Sequence, residues 1–449
     1  MLATQTSVGQ ELREKGLLQR VFEARRCTDA LFDIVRPDAL YDRPIPERHR
    51  IIFYIGHLEA FDWNLLQESL VLRKSPAPQL DRLFAFGIDP VGGGLPDDPP
   101  SDWPAIDVVR DYVARTRAAL DEKLTDHNLE SDGRDGFSLS TLLNVAIEHR
   151  LMHLETLAYM LHQLPLDRKL PQADPADPAT SPVVHRMIEI PAGAATLGLP
   201  RDGEQFGWDN EYAIHTREVP AFKIDQFKVT NGQYLDFISA GGYEIREFWG
   251  DADWEWKSNA GIANPSFWKK TGNSNGEEWL YRTMFAEIPL PLDWPVYVSH
   301  AEASAYARWA GKSLPTEEQW HRAAFATPGQ EERYYPWGTQ APNPSLDNFD
   351  FHRWNPTPVN VFPSGQSAFG VQDILGNGWE WTSSVFEPFP GFEPFPFYLG
   401  YSANFFDGKH FVMKGGSART AACMLRPTFR NWFQAHYQYV YAGFRCVSP

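Results

Sequence analysis

The first 165 residues of the chain carry apolar side chains at intervals of three and four positions. This spacing predicts α-helices, and it recurs in Gln10–Val35, Glu47–Lys74, Ile106–Asp121 and Leu139–Leu164. Four such segments predict a four-helix bundle, an architecture that commonly builds metal sites from facing helices. The second and third helices are separated by GIDPVGGGLPDDPPSDWP, whose Gly and Pro content is incompatible with regular structure.

Beyond the bundle the pattern changes twice. A proline-rich stretch, LPLDRKLPQADPADPATSPVV, predicts an extended linker over 166–184. From 185 to 449 short β-like runs alternate with Gly, Pro and Asn turns, and helical spacing returns only briefly, as in Ser299–Ala310 and Thr316–Ala324. We therefore expect an α+β chain of two domains, a bundle over 1–165 and a loop-rich domain over 185–449.

Three histidines lie within the apolar helical stretches. His149 and His153 are one helical turn apart in EHRLMHLET, so both imidazoles can point at one spot, and His57 occupies FYIGHLEAFDWNLL. A single buried histidine is usually a packed core residue, but this combination favours a metal site. Zn, Cu, Fe and Ni all accept imidazole, so the pattern leaves the metal open. Glu155 is a candidate acceptor for a ligand N–H.

Composition narrows the partners and the compartment. The chain has 449 residues and a formal charge of −17, which disfavours nucleic acid and anionic membrane surfaces as partners. No apolar run approaches the roughly 20 residues that a bilayer requires, and no signal peptide is apparent. The three cysteines, Cys27, Cys423 and Cys446, lack metal spacing and fit a reducing compartment. We expect a soluble cytoplasmic enzyme.

Several sequence blocks resemble known families. EIPAGAATLGL, VPAFKIDQFKVTNGQYLDFI, PVYVSHAEASAYARWAGKSLPTEEQWHRAAF, DILGNGWEWTSS and KGGSARTAACMLRPTFRNW resemble, in this order, the formylglycine-generating-enzyme (sulfatase-modifying-factor) family. The helices with His57 and the H-x3-H-x-E run resemble a DinB-type domain. Joined in this order, the two resemble the sulfoxide synthases of ergothioneine biosynthesis (EgtB type) and the related selenoneine synthases. The resemblance covers nearly the whole chain and implies a variant C-type-lectin fold for the second domain.

The resemblance also implies an activity. Members of this family are non-haem iron oxidoreductases that join sulfur or selenium to the imidazole C2 of hercynine. It implies Fe(II) held by His57, His149 and His153, with O2 as co-substrate. Activation of O2 requires a redox-active metal, which excludes zinc if that activity holds. The Asp, Asn and Gly turns of the second domain also offer oxygen ligands for a structural cation.

Two segments of the second domain match the family's active-site segments. PFYLGYSANFFDG matches the one with the active-site tyrosine, which places Tyr398 at that position and Tyr401 beside it. A phenol there can supply a proton or an electron. RPTFRNWF matches the segment whose Asn-Trp pair holds hercynine, here Asn431 and Trp432. An amide suits the carboxylate, and an indole face suits the trimethylammonium group.

Two departures from the family bear on the donor. Met152 stands where some members carry a substrate-contacting glutamine, and Phe433 where some carry an aspartate that contacts γ-glutamylcysteine. A buried amine needs a charged partner, so Phe433 favours a smaller or less charged donor, either free cysteine or a selenosugar. We slightly prefer the selenium branch. The long segment from Phe84 to Trp103 is a candidate donor-side loop, with Arg82 as an anion contact.

Three other classes compete with this hypothesis. Formylglycine-generating enzymes carry C-x4-C after their GGS motif, where this chain has Thr420 and Leu425, so we reject protein modification. A DinB-type thiol transferase would use the same histidines with zinc or nickel, but it would not explain the second domain. A non-catalytic scaffold would have no need for three intact histidines.

Overall fold

Two compact units make up the computed structural model, Met1–Gln172 and Ala173–Pro449. The structure describes residues 2–449 except 73, 74, 76, 86–97, 126–132, 177–181, 204, 274 and 275, and it describes only the backbone of 2–15, 273, 276 and 277. Along the described residues, none of the helices combines the length and apolar character that a membrane crossing requires. The predicted α+β class is confirmed by these helices and sheets together with the family matches given below.

In its described part, the first unit contains five α-helices: α1 (Leu2–Phe32), α2 (Ile51–Leu66), α3 (Pro78–Phe84), α4 (Ile106–Leu124) and α5 (Leu139–His162). Helix α1 packs on α5, and α2 packs on α3, α4 and α5. The predicted second helix ends earlier than its apolar pattern, at Leu66, and the short α3 was not predicted. Pro78 opens α3 in the first turn, where its missing N–H costs nothing.

Helix α5 carries two of the candidate ligands, and most of its residues are buried. Its N-terminus is capped by Ser138, whose hydroxyl accepts the backbone N–H of Thr141 at 3.2 Å. Every residue from Leu157 to His162 is buried, in keeping with an apolar pattern that runs all round the helix. Polar side chains on α5 therefore lie in an environment that penalises charge.

Two residues in the first part of the predicted linker over 166–184 make hydrogen bonds, each within its own unit. The Lys169 side chain is buried, and its ammonium donates to the carbonyl of His162 at 3.3 Å. Asp174 accepts the backbone N–H of Trp354 at 2.9 Å within the second unit. The proline content of this segment did not predict these contacts.

The described strands of the second unit form four sheets. Their strands are β1 (Met187–Ile190), β2 (Gly193–Leu197), β3 (His215–Val219), β4 (Phe222–Asp225), β5 (Trp268–Asn273), β6 (Gly276–Arg282), β7 (Glu287–Pro289), β8 (Trp379–Val385), β9 (His410–Lys414), β10 (Asn431–Gln434), β11 (Ala442–Gly443) and β12 (Val447–Ser448). The sheet orders are β1-β4-β12, β2-β3, β5-β6-β7 and β10-β9-β8-β11. The helices of this unit are α6 (Asn231–Ser239), α7 (Asp251–Ala260), α8 (His300–Trp309) and α9 (Glu317–Phe325).

The sheet with β10 at its edge carries three of the candidate substrate residues, Asn431, Trp432 and Phe433. Strand β10 pairs antiparallel with β9, so that Trp432 lies opposite Val412 and Phe433 opposite Phe411. Successive side chains of a strand point to opposite faces, and Trp432 and Phe433 therefore lie on different faces of this sheet. In β8, Trp381 is fully buried and its indole N–H donates to the carbonyl of Val298 at 2.9 Å, a packing role.

Candidate active site

The structure brings His57, His149 and His153 together in the first unit. One ring nitrogen from each lies within 4.8 Å of those of the other two, and all three side chains are buried. His57 comes from α2 and the other two from adjacent turns of α5. Their ring centroids are 4.5 to 5.5 Å apart. Three imidazoles converging at this distance can hold one metal ion and leave positions for other ligands.

The hydrogen bond of His57 identifies which of its nitrogens faces the cluster. Nδ1 lies 2.8 Å from the backbone carbonyl of Phe84, an acceptor that requires the proton on Nδ1. Nε2 then carries a free lone pair, and this atom is buried without a hydrogen-bond partner among the described residues. An orphaned imidazole nitrogen whose opposite nitrogen donates to a carbonyl is the usual arrangement of a metal-ligating histidine. This histidine fits a metal.

Burial keeps the three imidazoles neutral. Burial lowers the pKa of His57 to about 4, although its hydrogen bond to Phe84 opposes the shift. Burial also lowers the pKa values of His149 and His153 well below their usual range, and the neighbouring imidazoles lower the pKa of each further. The rings of Phe53 and Phe61 stack on His57 and His149, with centroid distances of 4.8 and 3.4 Å. Neutral imidazoles are the form that binds metals.

A buried ion cluster lies beside the histidines on the same two helices. Arg150, next to His149, donates to Glu59 at 2.9 Å and to Asp62 at 2.7 Å. Burial raises the pKa of Glu59, but the charges of Arg150 and Arg117 outweigh it and hold that pKa at about 2. The ion cluster ties α2 to α5, which carry all three histidines. It was not predicted, although charged residues within apolar helices were a visible signal.

In the second unit, Tyr398 and Tyr401 lie in a loop between β8 and β9. The Tyr401 ring stacks on the fully buried Trp208 at 4.0 Å, and the half-buried Tyr398 ring lies 5.6 Å from Tyr401. Asp209, next to Trp208, accepts the hydroxyl of Ser402 at 2.6 Å. Trp208 and Asp209 thus hold the tyrosine loop from a segment almost 200 positions earlier, and the sequence showed no sign of this.

Trp432 joins the two tyrosines in an aromatic cluster, defined by Trp208, Tyr398, Tyr401, Trp432 and Phe386. The Trp432 ring is half-buried, stacks on Phe386 at 4.3 Å and meets Tyr401 edge-on at 5.4 Å. The side chain of Asn431 accepts the backbone N–H of Trp432 at 2.9 Å. The structure therefore places Tyr398, Tyr401 and Trp432 in one region of the second unit, with Asn431 beside them in the chain.

The candidate donor residues are more scattered. Phe433 is half-buried and stacks on Tyr437 at 5.0 Å. Met152 is half-buried on α5, and Arg82 is exposed on α3. Most of the predicted donor-side loop, 86–97, lies outside the described residues. Glu155 follows His153 by two positions, so it lies about 200° away from His153 around the helix. The hydrogen-bond acceptor that the structure shows for a histidine of the cluster is the backbone carbonyl of Phe84, which binds His57.

The positions that separate this chain from the formylglycine-generating enzymes are packed. Thr420 is fully buried and its hydroxyl accepts the Ser417 backbone N–H at 2.8 Å, and Leu425 lies in the core. Among the described residues, the three histidines are the one group of three potential metal ligands of the His, Cys, Asp or Glu type. A structural cation held by the oxygen ligands of turns in the second domain stays a prediction. The buried carboxylate of Asp373 already has a positive partner, because its Oδ2 lies 3.4 Å from the ammonium of Lys228.

Comparison with known proteins matches both units. A family model described as the sulfatase-modifying factor enzyme 1-like domain matches residues 172–449, and one for the DinB superfamily matches 22–157. Hercynine oxygenase of Mycobacterium tuberculosis is 37% identical over 340 residues, covering 75% of this chain and 76% of that protein. Hercynine oxygenase of Mycolicibacterium smegmatis is 36% identical over 82% of this chain and 83% of that protein. Ergothioneine biosynthesis protein 1 of Neurospora crassa is 29% identical over 91% and 55%.

These matches define a class of proteins in which a DinB-superfamily domain precedes a sulfatase-modifying-factor domain. The resemblance inferred from the sequence blocks is thereby confirmed. The chain belongs to the hercynine oxygenase family and is an enzyme of that oxygenase class.

Proposed function

We propose that this enzyme uses Fe(II) and O2 to form a bond between a sulfur or selenium atom and C2 of the hercynine imidazole. The observation that carries the proposal is the convergence of His57, His149 and His153 within 4.8 Å. It occurs in a chain whose relatives are named hercynine oxygenases and ergothioneine biosynthesis proteins. The substrates are small molecules.

The three histidines would hold the iron. When bound, Fe(II) supplies the one-electron chemistry that O2 requires, which zinc cannot supply. The protein's contribution is to keep the imidazoles neutral by burial and to hold His57 by its bond to Phe84. Three protein ligands leave coordination positions for substrates, which suits a reaction that brings several reactants together.

The aromatic cluster would bind hercynine and supply a proton or an electron. Trp432 would receive the trimethylammonium group on its indole face, and Asn431 would bond the carboxylate. Tyr398 would supply a proton or an electron from its phenol. Support for these roles comes from the position of Tyr398 beside Tyr401 and from the contact of Tyr401 with Trp432.

For the donor we propose a smaller or less charged compound than γ-glutamylcysteine, that is, cysteine or a selenosugar. Phe433 offers an aromatic face and no carboxylate, and its ring is engaged with Tyr437. The names of the relatives favour sulfur, whereas Phe433 keeps the selenosugar as a candidate.

The product mass tests the proposal. Protein loaded with Fe(II) is incubated in air with hercynine and equal amounts of cysteine, γ-glutamylcysteine and a selenosugar. We expect a hercynine adduct with cysteine or the selenosugar in excess, and in Phe433→Asp a shift toward γ-glutamylcysteine by roughly tenfold, the size expected when a buried amine gains a charged partner. No adduct with any donor would refute the proposed reaction, and an unchanged preference in Phe433→Asp would refute the role of Phe433.

A further inference from the structure

Gly56 lies in the interior of α2, directly before His57. Glycine in a helix interior costs about 1 kcal/mol relative to alanine, so its presence in this largely buried helix calls for a physical reason. The residue is buried, and a Cβ at this position would come within 3.0 Å of three atoms of the Phe84 ring. The missing side chain therefore makes the space that the Phe84 ring occupies.

Phe84 is held by more than this contact. Its ring is fully buried and also packs against Trp103 and Tyr112, with centroid distances of 6.2 and 5.8 Å. It is the last residue of α3, and the carbonyls of a helix's last turn have no partner within the helix. Its carbonyl is the one that accepts the Nδ1–H of His57.

The same residue thus carries both the ring that needs the glycine and the carbonyl that orients the histidine. We propose that Gly56 is a positioning residue of the histidine cluster. It lets the Phe84 ring lie against α2, which places the Phe84 carbonyl on Nδ1 of His57 and turns Nε2 toward His149 and His153. The inference rests on the proposed metal centre and adds the element that fixes one of its ligands.

A methyl group at position 56 would displace the Phe84 ring and its carbonyl together. His57 would keep its place on α2 but lose the acceptor that fixes its tautomer and ring orientation. Loss of such an outer partner usually lowers metal affinity by about 10- to 100-fold. A glycine that served only helix packing would change stability and leave the affinity of the remaining ligands as it was.

The test compares Gly56→Ala with Gly16→Ala in the full chain. Gly16 lies in α1, and a Cβ there would have no atom within 4 Å. Both variants are titrated with Co(II) without oxygen, the binding being followed by visible absorption of the bound cobalt, and their folding is checked by circular dichroism. We expect Gly56→Ala to bind Co(II) 10- to 100-fold more weakly than the wild type and Gly16→Ala to bind it equally. A folded Gly56→Ala that binds Co(II) as tightly as the wild type would overturn the proposal.

A double-mutant cycle covers the case in which Gly56→Ala does not fold. Phe84→Ala removes the ring, so adding Gly56→Ala to it should cost neither folding nor further Co(II) affinity. If the double variant is as impaired as the sum of the two single changes, or fails to fold where Phe84→Ala folds, Gly56 does not act through Phe84. A wild-type protein that binds no Co(II) would instead contradict the proposed metal centre itself.

Discussion

The histidine cluster of the first unit and the aromatic cluster of the second are built in opposite ways. The histidines project from two long helices that a buried ion cluster ties together, and their nitrogens converge within 4.8 Å. The aromatic side chains come from an edge strand and from loops, and they are held mainly by ring contacts of 4.0 to 6.4 Å. Metal ligands demand tightly fixed geometry, whereas an aromatic surface tolerates the variation that loops allow.

The largest effect is expected from removing Arg150, which lies next to His149 on α5. Arg150→Met would leave Glu59 and Asp62 buried without their main counter-charge. Removing one partner of a buried pair costs about 3–5 kcal/mol. We therefore expect α5 to open more readily, and hydrogen exchange should show faster exchange of its backbone amides than in the wild type.

The matched control is Arg115→Met, because Arg115 forms an exposed ion pair with Asp111 on α4. Exposed pairs contribute less than about 1 kcal/mol. Equal effects of the two changes on α5 would mean that the buried ion cluster does not hold this helix.

Loss of a single histidine is the next largest effect. His149→Ala should weaken Fe(II) or Co(II) binding by roughly 100-fold or more, beyond the 10- to 100-fold typical of an outer partner. His352→Ala is the control, because His352 is exposed in the second unit. Anaerobic metal titration followed by metal analysis measures both, and undiminished binding in His149→Ala would remove His149 from the site.

The aromatic cluster should respond to pH through Asp209. Burial raises its pKa to about 6, although the Ser402 hydroxyl and the backbone N–H groups of Phe395 and Asn210 oppose the shift. Because the folded pKa exceeds the unfolded value of 3.8, the unfolded state releases its proton first. The stability contributed by protonated Asp209 is therefore present below about pH 4 and lost as the pH rises to about 6.

We expect Asp209→Asn to be more stable than the wild type at pH 7.5, by on the order of 1–3 kcal/mol, and to lose this advantage at pH 4. Thermal unfolding at several pH values measures the difference. Asp202→Asn, at an exposed position of the same segment, should show none. The same advantage at both pH values would show that the effect does not come from ionisation.

The smallest effect expected is on hercynine affinity. Trp432→Leu keeps an apolar side chain and removes the indole face, so the dissociation constant should rise about 2- to 30-fold, the range of a cation–π contact. Calorimetric titration with hercynine and with histidine separates the causes, because histidine lacks the methyl groups. Trp279→Leu, in a different sheet of the same unit, is the control. An equal loss for both ligands would refute a contact of the indole face that is specific to the trimethylammonium group.

The two regions also differ in how far the sequence predicts them. The helical spacing predicted α5 over 139–164, and the structure has it over Leu139–His162. That periodicity was sufficient to expect His149 and His153 on one face. The acceptor of His57 could not be predicted, because it is a backbone carbonyl at the end of a short helix in a segment that reads as loop.

The aromatic cluster shows the same limit more strongly. The match to family segments predicts Tyr398 and Trp432 as site residues. The stacking of Tyr401 on Trp208, however, joins positions 193 residues apart. No local periodicity encodes such a contact. Likewise, Gly56 reads as an unfavourable residue in a helix until the ring of Phe84 is seen beside it.

Oxygen uptake distinguishes an iron and O2 enzyme from one that uses a redox-inert metal. Protein loaded with Fe(II) and protein loaded with Zn(II) are each given hercynine and the preferred donor, while O2 consumption and hercynine adduct are followed together. The proposed function predicts O2 uptake that requires Fe(II), hercynine and the donor, and that keeps pace with adduct formation. Absence of both Fe(II)-dependent O2 uptake and hercynine adduct would contradict it and would favour a metal-dependent thiol transferase instead.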